Sequence, residues 1–453
     1  MRRLAALACL VVLPIAAQQF DAAALEKTVR EEMTAANIPG AAVAVIQGDR
    51  AIFSRAVGTA NVESKDPLAT NMLFRLGSTT KMFTAAAVVS LAIEGKLSLD
   101  EPIGKHIPEL PARLAAVTPH QLLSNSAGLR DEPALAGPDD EAALGQMVLS
   151  WKDDIFFTQP GRVFSYSNPG YWLAGYLAER VAGKRYADVL RERIFEPVGM
   201  KHTTLRPLLA MTYPLAQGHE APKPGEWRVV RPAVNNAAAW PSGSIFSSLD
   251  DLTRFAIAML NQGRLDGKQV LPERLPSMLM DRGIAVAGSD GMYVYGLMKG
   301  KQRGVTVASH GGVRAGYGSL MTFAPEQRVA VIALANRSAA IMGKTANAAA
   351  EMLLPFGPPE KDDLKPPRTI VEADFPLYTG LYAQGRMKVE ILAEKGKLWL
   401  RRESHTMPLT VHEGDEISFT PPGAAAAERA NLVRGEGGRV EYLNMFLHAL
   451  ARQ

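Results

Sequence analysis

The sequence of 453 residues contains a single cysteine, Cys9, and this scarcity sets the first limits on the protein. Cys9 lies inside the apolar run of residues 4–17, which follows a positively charged start. Such a run is short for a transmembrane span and is typical of a secretory signal peptide, here residues 1–17 with cleavage after Ala17. Cleavage would leave a mature chain without disulfides or thiolate metal ligands. We therefore expect a periplasmic or secreted protein. The alternative is an uncleaved signal peptide, through which the protein would contact a membrane.

The chain also lacks a large excess of charge. Its 50 Lys and Arg against 46 Asp and Glu leave a net charge of +4, and no dense basic block interleaved with aromatic residues occurs. These features argue against nucleic acid as a partner. Three sequence signatures are missing as well: the H-E-x-x-H of metalloenzymes, the G-x-S-x-G of α/β-hydrolases and the glycine-rich loops that bind nucleotides. The sequence therefore predicts no metal site.

The order of predicted elements indicates an α+β domain over residues 18–355. A helix within residues 20–40 and a hairpin over residues 41–58 precede a long, mostly helical middle, and strands return over residues 292–336 before a last helix. This order predicts one antiparallel β-sheet assembled from both ends of the domain and flanked by helices, with an all-helical insert beside it.

A second, smaller domain is predicted at the C-terminus. Residues 356–375 are rich in proline and charge, which predicts a linker. Residues 376–453 alternate apolar and polar residues around turn signals such as EKGK, which predicts a small antiparallel β-domain.

The stretch GSTTK at residues 77–81 opens an apolar run with helical spacing. In a helix that starts at Ser78, Lys81 lies on the same face, about 4.5 Å further along the axis. The helix N-terminus offers free N–H groups and a positive dipole end, which suit an oxyanion. Burial of Lys81 would lower its pKa and make it a usable base. By itself, the stretch also fits an ordinary helix start, with Ser78 as cap and Lys81 reaching solvent.

A second candidate stretch holds Tyr166 and Asn168, in a loop just before a predicted helix. A phenol near a lysine ammonium loses its proton more easily and can act as a general base. The amide of Asn168 can donate to an acyl oxygen and accept from Lys81. Taken alone, Tyr166 also fits a buried structural tyrosine in a turn.

The third candidate stretch, His310-Gly311-Gly312, follows a predicted strand. Glycines at this place would let a substrate lie close to the strand edge. His310 can polarise a group or transfer a proton, and the N–H of Val313 would point into the same space. Taken alone, a histidine at a strand end is more often structural than catalytic.

Together, these three stretches resemble the motifs of the serine hydrolases of the β-lactamase and penicillin-binding-protein superfamily. The motifs of that superfamily are Ser-x-x-Lys, Tyr-x-Asn and Lys/His-x-Gly, and they occur here in the same order at residues 78–81, 166–168 and 310–312. The resemblance extends from about residue 22 to 355. Within the superfamily, the sequence is most similar to the branch that contains class C β-lactamases, DD-peptidases and related esterases. The C-terminal β-domain resembles the lipocalin-like tails of many relatives.

The resemblance implies a role for each residue. Ser78 would attack a carbonyl and form an acyl-enzyme, while Lys81 and Tyr166 would share the proton transfers. Asn168 would orient the acyl group, and the N–H groups of Ser78 and Val313 would form the oxyanion hole. No metal and no organic cofactor is implied.

The third motif departs from that of many β-lactamases, which carry a lysine suited to a substrate carboxylate. His310 is mostly neutral near pH 7 if unperturbed. Arg314 is the candidate to supply the missing charge, and with Gly311, Gly312 and Val313 it completes the predicted substrate-binding set.

The sequence therefore predicts an exported serine hydrolase that acts on a small-molecule or peptide substrate, through a peptide, amide or ester bond, with inefficient β-lactam hydrolysis. The alternatives are a short-chain carboxylesterase and a non-catalytic binding protein that uses the same groove. The sequence carries no prediction of an oligomeric state.

Overall fold

The computed structural model describes residues 20–132, 134, 136–359 and 364–453. The expected signal peptide, residues 1–17, lies outside the described residues, so its cleavage and the location of the protein stay predictions. In the part that is described, no helix combines the length and the apolar character needed to cross a bilayer.

A nine-stranded antiparallel sheet, the main sheet, forms the centre of the first domain. Its two halves come from opposite ends of the domain sequence, as predicted. In sheet order, the strands are Ile284–Ala285, Met292–Tyr293, Met298–Gln302, Val305–Arg314, Tyr317–Ala324, Val329–Ala335, Gly40–Gln47, Arg50–Asn61 and Asp66–Pro67.

The strand Gly40–Gln47 is an interior strand of this sheet and is buried on both faces except at Gln47. Successive side chains of a strand point to opposite faces, which explains its continuous apolar sequence. One face packs against the terminal helices Ala22–Ala35 and Gly343–Leu353, and the other against a core that includes helix Leu249–Leu260. The two sets of inward side chains are Ala41, Val43 and Val45, and Ala42, Ala44 and Ile46.

The insert between the strands Asp66–Pro67 and Ile284–Ala285 is mainly helical. The expectation of an all-helical insert is wrong in detail, because the insert also contains short strand pairs, among them Leu73–Arg75 with Phe246–Ser248. Its α-helices are Thr80–Ile93, Ala112–Ala115, Pro119–Leu123, Ala143–Ser150, Asn168–Ala182, Tyr186–Leu190, Glu196–Val198, Pro207–Ala210, Trp240–Gly243, Leu249–Leu260 and Leu275–Asp281.

The C-terminal domain is a second nine-stranded antiparallel sheet with its own apolar core. The second half of the predicted linker belongs to it: Arg368 N–H donates to Val411 O at 2.9 Å, and Phe375 is buried in its core. In sheet order, the strands are His405–Pro408, Lys397–Arg402, Met387–Glu394, Gly380–Gln384, His448–Arg452, Val440–Met445, Glu428–Arg434, Glu416–Phe419 and Thr410–Val411.

The helix Thr80–Ile93, called the nucleophile helix below, is buried over residues 80–91. It begins two residues later than predicted, because residues Gly77–Thr79 form a 3₁₀ turn that leads into it. Phe83 is fully buried, with ring-centroid distances of 4.3 Å to Phe255 and 6.1 Å to Phe195. Packing on all sides thus fixes the position of the helix.

We predict that Phe83→Ala lowers the free energy of unfolding by about 3–5 kcal/mol, because it leaves a cavity beside the rings of Phe195 and Phe255. Urea unfolding followed by circular dichroism measures this loss. Leu208→Ala is the control, since Leu208 is 81% exposed and its truncation should change stability by less than about 0.5 kcal/mol. Equal stability of the Phe83 and Leu208 variants would contradict the packing described.

Candidate active site

Ser78 lies in the 3₁₀ turn Gly77–Thr79, partly exposed between two buried neighbours. Its side chain does not cap the helix, so the reading of Ser78 as an ordinary cap is wrong. Ser319 fixes the turn to the main sheet: its hydroxyl donates to Leu76 O at 2.6 Å and lies 2.7 Å from Thr79 Oγ1. The turn therefore presents the Ser78 hydroxyl on a rigid base.

Lys81 is fully buried, one helical turn beyond Ser78. Its Nζ is 3.3 Å from Ser78 Oγ, 2.7 Å from Asn168 Oδ1 and 2.9 Å from Ser242 O. The amide and carbonyl oxygens can only accept, so each takes one N–H of the amine. In the neutral amine, which has two N–H groups, the lone pair is then left for the Ser78 hydroxyl.

Burial lowers the pKa of Lys81 to about 7, although the nearby Asp131 carboxylate opposes the shift. Loss of water around a charged amine disfavours the protonated form. Near neutral pH, a large fraction of Lys81 is therefore the neutral base that the sequence predicted. The alternative in which Lys81 reaches solvent is wrong.

Tyr166 lies beside the same amine, with its ring centroid 4.6 Å from Lys81 Nζ and its hydroxyl in a hydrogen bond with Ser78. Burial and Tyr293 raise the pKa of Tyr166 well above its ordinary value. The expectation that a lysine charge would ease loss of the phenolic proton is therefore wrong for this state. These pKa shifts favour a neutral Lys81 amine that can accept a proton and a Tyr166 phenol that keeps its own.

Asn168 is the first residue of helix Asn168–Ala182, which Ser167 caps by accepting from Gly170 N–H at 3.2 Å. This cap places Tyr166 and Asn168 on either side of the turn. The amide oxygen of Asn168 accepts from Lys81, as predicted. Its amide nitrogen donates to Asp131 Oδ1 at 3.0 Å, and its backbone N–H donates to the same oxygen at 2.8 Å.

Asp131 is a site residue that the sequence reasoning missed. It stands in the loop sequence GLRDEP, in no motif and without a predicted element. A carboxylate among arginines and prolines in a loop is an ordinary surface feature, so no local signal singles it out. Its contact with Asn168 depends on the meeting of two loops 37 residues apart.

His310 is buried on the strand Val305–Arg314, and its two ring nitrogens are both engaged. Nδ1 lies 2.6 Å from Gly311 O and so carries the proton, which leaves Nε2 to accept from the Tyr293 hydroxyl at 3.2 Å. Burial and the Lys81 charge lower the pKa of His310 to about 3. A neutral His310 was predicted and is confirmed; its engaged nitrogens suit it to positioning Tyr293 rather than to proton transfer.

Gly312 is needed because the chain itself comes close. A Cβ at this position would lie 1.8 Å from Leu76 O, which no side chain could tolerate. The glycine is therefore required by the packing of the chain itself, and its role in making room for substrate stays a prediction. Because Gly312 has no side chain, the strand can contact the turn that carries Ser78.

The same close approach places Val313, the next residue of the strand, beside the turn that carries Ser78. A Cβ on Gly77 would lie 2.5 Å from the backbone nitrogen of Val313, so that nitrogen adjoins the Ser78 turn, as an oxyanion hole requires. The side chain of Val313 is 53% exposed, and Gly311 lies two residues earlier on the same strand.

Arg314 is buried rather than open to the groove. Burial and the neighbouring Arg75 guanidinium lower the pKa of Arg314 to about 10, so it stays mainly charged at neutral pH. Its role as the substitute for the missing lysine of the third motif stays a prediction.

The C-terminal domain contacts the loop that carries Tyr166. Leu447 O accepts from Tyr166 N–H at 2.9 Å, and His448 Nδ1 donates to Tyr166 O at 3.2 Å. One residue earlier, the Ser165 hydroxyl lies 2.8 Å from Gln384 Nε2 and accepts from Ala449 N–H at 3.1 Å. Sequence reasoning missed these residues because they lie in ordinary strands of a separate domain.

Comparison with known proteins agrees with this geometry. The beta-lactamase family model matches residues 25–354. A D-aminopeptidase from Gluconobacter oxydans (strain 621H) is 29% identical over 331 residues, which are 71% of this chain and 60% of that protein. The chain therefore spans about three fifths of the length of this curated relative.

Solved structures match over both domains. The crystal structure of SurE has a TM-score of 0.78 and 25% identity, covering 95% of this chain and 98% of that one, and SurE has also been solved with D-Leu. The octameric penicillin-binding protein homologue from Pyrococcus abyssi has a TM-score of 0.66 at 23% identity, over 96% of this chain and 100% of its own. The latter likeness shows a shared fold.

We predict that Lys81→Ala and Tyr166→Phe each slow acylation of Ser78 by about 10²–10⁴-fold, the usual contribution of a positioned proton-transfer group. Lys81→Arg is the matched control for charge, because arginine stays protonated and so cannot replace the base. Stopped-flow release of p-nitrophenol from p-nitrophenyl acetate measures acylation. Near-normal rates in Lys81→Ala or in Tyr166→Phe, with the fold intact by circular dichroism, would contradict the proton-transfer role assigned to that residue.

We also predict that kcat/KM rises with pH through a midpoint near 7. The active base is neutral Lys81, whose pKa in the folded protein is about 7, so activity is lost as pH falls below that value and the amine is protonated. A pH–rate profile of the wild-type protein checks this. A midpoint near 10.5, the ordinary value for lysine, would show that Lys81 is not held as described.

Proposed function

Because the chain belongs to the beta-lactamase family, we propose that it is a serine hydrolase that forms an acyl-enzyme on Ser78. One observation carries the proposal: a fully buried lysine amine, with a pKa lowered to about 7, lies 3.3 Å from the hydroxyl of Ser78. A lysine so placed is an activated base for a serine nucleophile.

Acylation begins when neutral Lys81 takes the proton of Ser78 as Oγ bonds to the carbonyl carbon. The π electron pair moves to the carbonyl oxygen, and the N–H groups of Ser78 and Val313 stabilise the oxyanion. The bond to the leaving nitrogen or oxygen then breaks. Tyr166, still protonated and hydrogen-bonded to Ser78, gives its proton to that atom and regains one from Lys81.

Deacylation uses the same groups in the opposite direction. A water attacks the ester carbonyl and loses a proton to the Lys81 and Tyr166 pair, and the carbonyl oxygen again enters the oxyanion hole. When the ester bond breaks, Ser78 recovers its proton and the acid leaves. The enzyme is returned to its starting protonation state.

We propose that the scissile bond is a peptide or amide at a D-amino acid. The D-aminopeptidase relative and the structure of SurE with D-Leu support this substrate class. The third motif also favours this substrate class, because it disfavours β-lactams: neutral His310 offers no cation to the carboxylate of a β-lactam. The same lack of a positive charge on His310 is the reason to expect inefficient β-lactam hydrolysis.

We predict that D-amino acid amides, which carry no carboxylate beside the scissile bond, are cleaved at least about tenfold faster than their L-counterparts and than nitrocefin, measured as kcat/KM. Ser78→Ala is the control and should abolish every rate. Intact-protein mass after treatment with a fluorophosphonate should show one adduct, lost in Ser78→Ala.

The other outcomes separate the alternatives. Preference for p-nitrophenyl acetate over all amides would favour the short-chain carboxylesterase, and efficient turnover of nitrocefin would favour a β-lactamase. Absence of any Ser78 adduct would mean a non-catalytic binding protein.

A further inference from the structure

We propose that Asp131 is a positioning residue of this site: it fixes which end of the Asn168 amide faces Lys81. The inference rests on the proposed function, because it concerns the base of that reaction. Asp131 lies behind Asn168 as seen from Lys81 and makes no direct hydrogen bond to Ser78 or Lys81 among the described contacts.

The two ends of the Asn168 amide have opposite partners. Asp131 Oδ1 accepts from the amide nitrogen at 3.0 Å, while Lys81 donates to the amide oxygen at 2.7 Å. A flipped amide would set its oxygen against a carboxylate and its NH₂ group against the amine, which loses both hydrogen bonds. Asp131 therefore selects one of two orientations that are nearly equal in shape.

The same carboxylate oxygen also fixes the backbone of Asn168, whose N–H donates to it at 2.8 Å. Two donors from one residue thus converge on a single oxygen. This arrangement holds both the start of helix Asn168–Ala182 and the rotamer of its first side chain.

Orientation of the amide decides what the lysine can do. With Asn168 Oδ1 and Ser242 O each accepting one N–H, the remaining position of Nζ faces Ser78. If the amide turned, the neutral amine would be free to rotate, and its lone pair would no longer be directed at the nucleophile. Misplacement on this scale reduces catalysis sharply.

The C-terminal domain holds Asp131 from the other side. Gln384 Oε1 accepts from the backbone N–H of Asp131 at 3.3 Å, and Gln384 Nε2 donates to Ala449 O at 2.8 Å. His448 Nε2 lies 4.0 Å from Asp131 Oδ2. The side chain of Asp131 is only 18% exposed, so solvent competes little for its carboxylate.

Asp131 has a second, electrostatic effect, since its negative charge stabilises protonated Lys81 against burial. The charge effect and the orientation effect can be separated, because asparagine keeps the acceptor oxygen without the charge. Other titratable groups also face this pair: Tyr166, Tyr171 and His310 lie near Lys81, and His448 lies near Asp131.

The test compares Asp131→Asn and Asp131→Ala with Glu132→Gln, which removes a carboxylate charge from the adjacent residue, where it pairs with Arg130 instead. Three quantities are measured on each: the orientation of the Asn168 amide by neutron crystallography, which distinguishes its oxygen from its NH₂ group, the pKa of Lys81 by NMR of ¹⁵N-labelled lysine, and kcat and KM on the best amide of the substrate panel. The first two need no turnover, so they test Asp131 even if the proposed function fails.

We predict that Asp131→Ala turns the Asn168 amide away from Lys81 and lowers kcat by roughly 100-fold with little change in KM, since Asp131 acts through its hydrogen bonds to Asn168. Asp131→Asn should keep the amide in place and lower the Lys81 pKa, so that the acid limb of the pH–rate profile moves to lower pH. Glu132→Gln should leave all three quantities unchanged.

Two results would overturn the proposal. One is an unchanged Asn168 amide in Asp131→Ala. The other is equal losses in Asp131→Ala and Asp131→Asn together with an unchanged Lys81 pKa, which would mean that Asp131 only stabilises the loop. An inactive wild-type protein would instead refute the proposed function and leave the structural and NMR readouts to decide the role of Asp131.

Discussion

The burial of one lysine amine is the constraint on which the rest of this structure depends. Burial of an amine away from water is costly unless the amine finds hydrogen-bond partners, and Lys81 finds them on three separate elements. Ser78 comes from its own turn, Asn168 from the start of another helix and Ser242 from the segment before strand Phe246–Ser248. These elements must therefore meet at one point. The same burial that demands this arrangement lowers the pKa and makes the amine a base.

The rigid surroundings of the amine serve the same end. The nucleophile helix is enclosed by apolar side chains, and the turn before it is fixed to the main sheet through Ser319 and Leu76. Gly312 allows the strand to touch that turn, since any side chain there would collide with Leu76 O. The proposed nucleophile, Ser78, and the proposed oxyanion hole are thus parts of one contact between a strand and a turn. Little reorganisation is then required when charge develops on the substrate.

The C-terminal domain is a structural part of the site. Its strands reach the loop of Tyr166 with backbone and side-chain hydrogen bonds, and Gln384 contacts Asp131 directly. Because the hydrogen bonds of the catalytic loop are shared between the two domains, the orientation of Tyr166 and Asn168 depends on both. Folding of the second domain therefore bears on the chemistry of the first.

The sequence by itself determined the residue types, their order and the folding class. Apolar periodicity was enough for the main sheet and the C-terminal sheet, since the alternation of faces is a local property, and three spaced motifs were enough to identify Ser78, Lys81, Tyr166 and Asn168 as one set. Only the tertiary structure decided the protonation states and the supporting residues. Whether Tyr166 or Lys81 is the base depends on desolvation, which is a property of everything packed around a group. Asp131 and Gln384 gain their places from contacts between distant segments, and no local pattern of residues encodes such contacts.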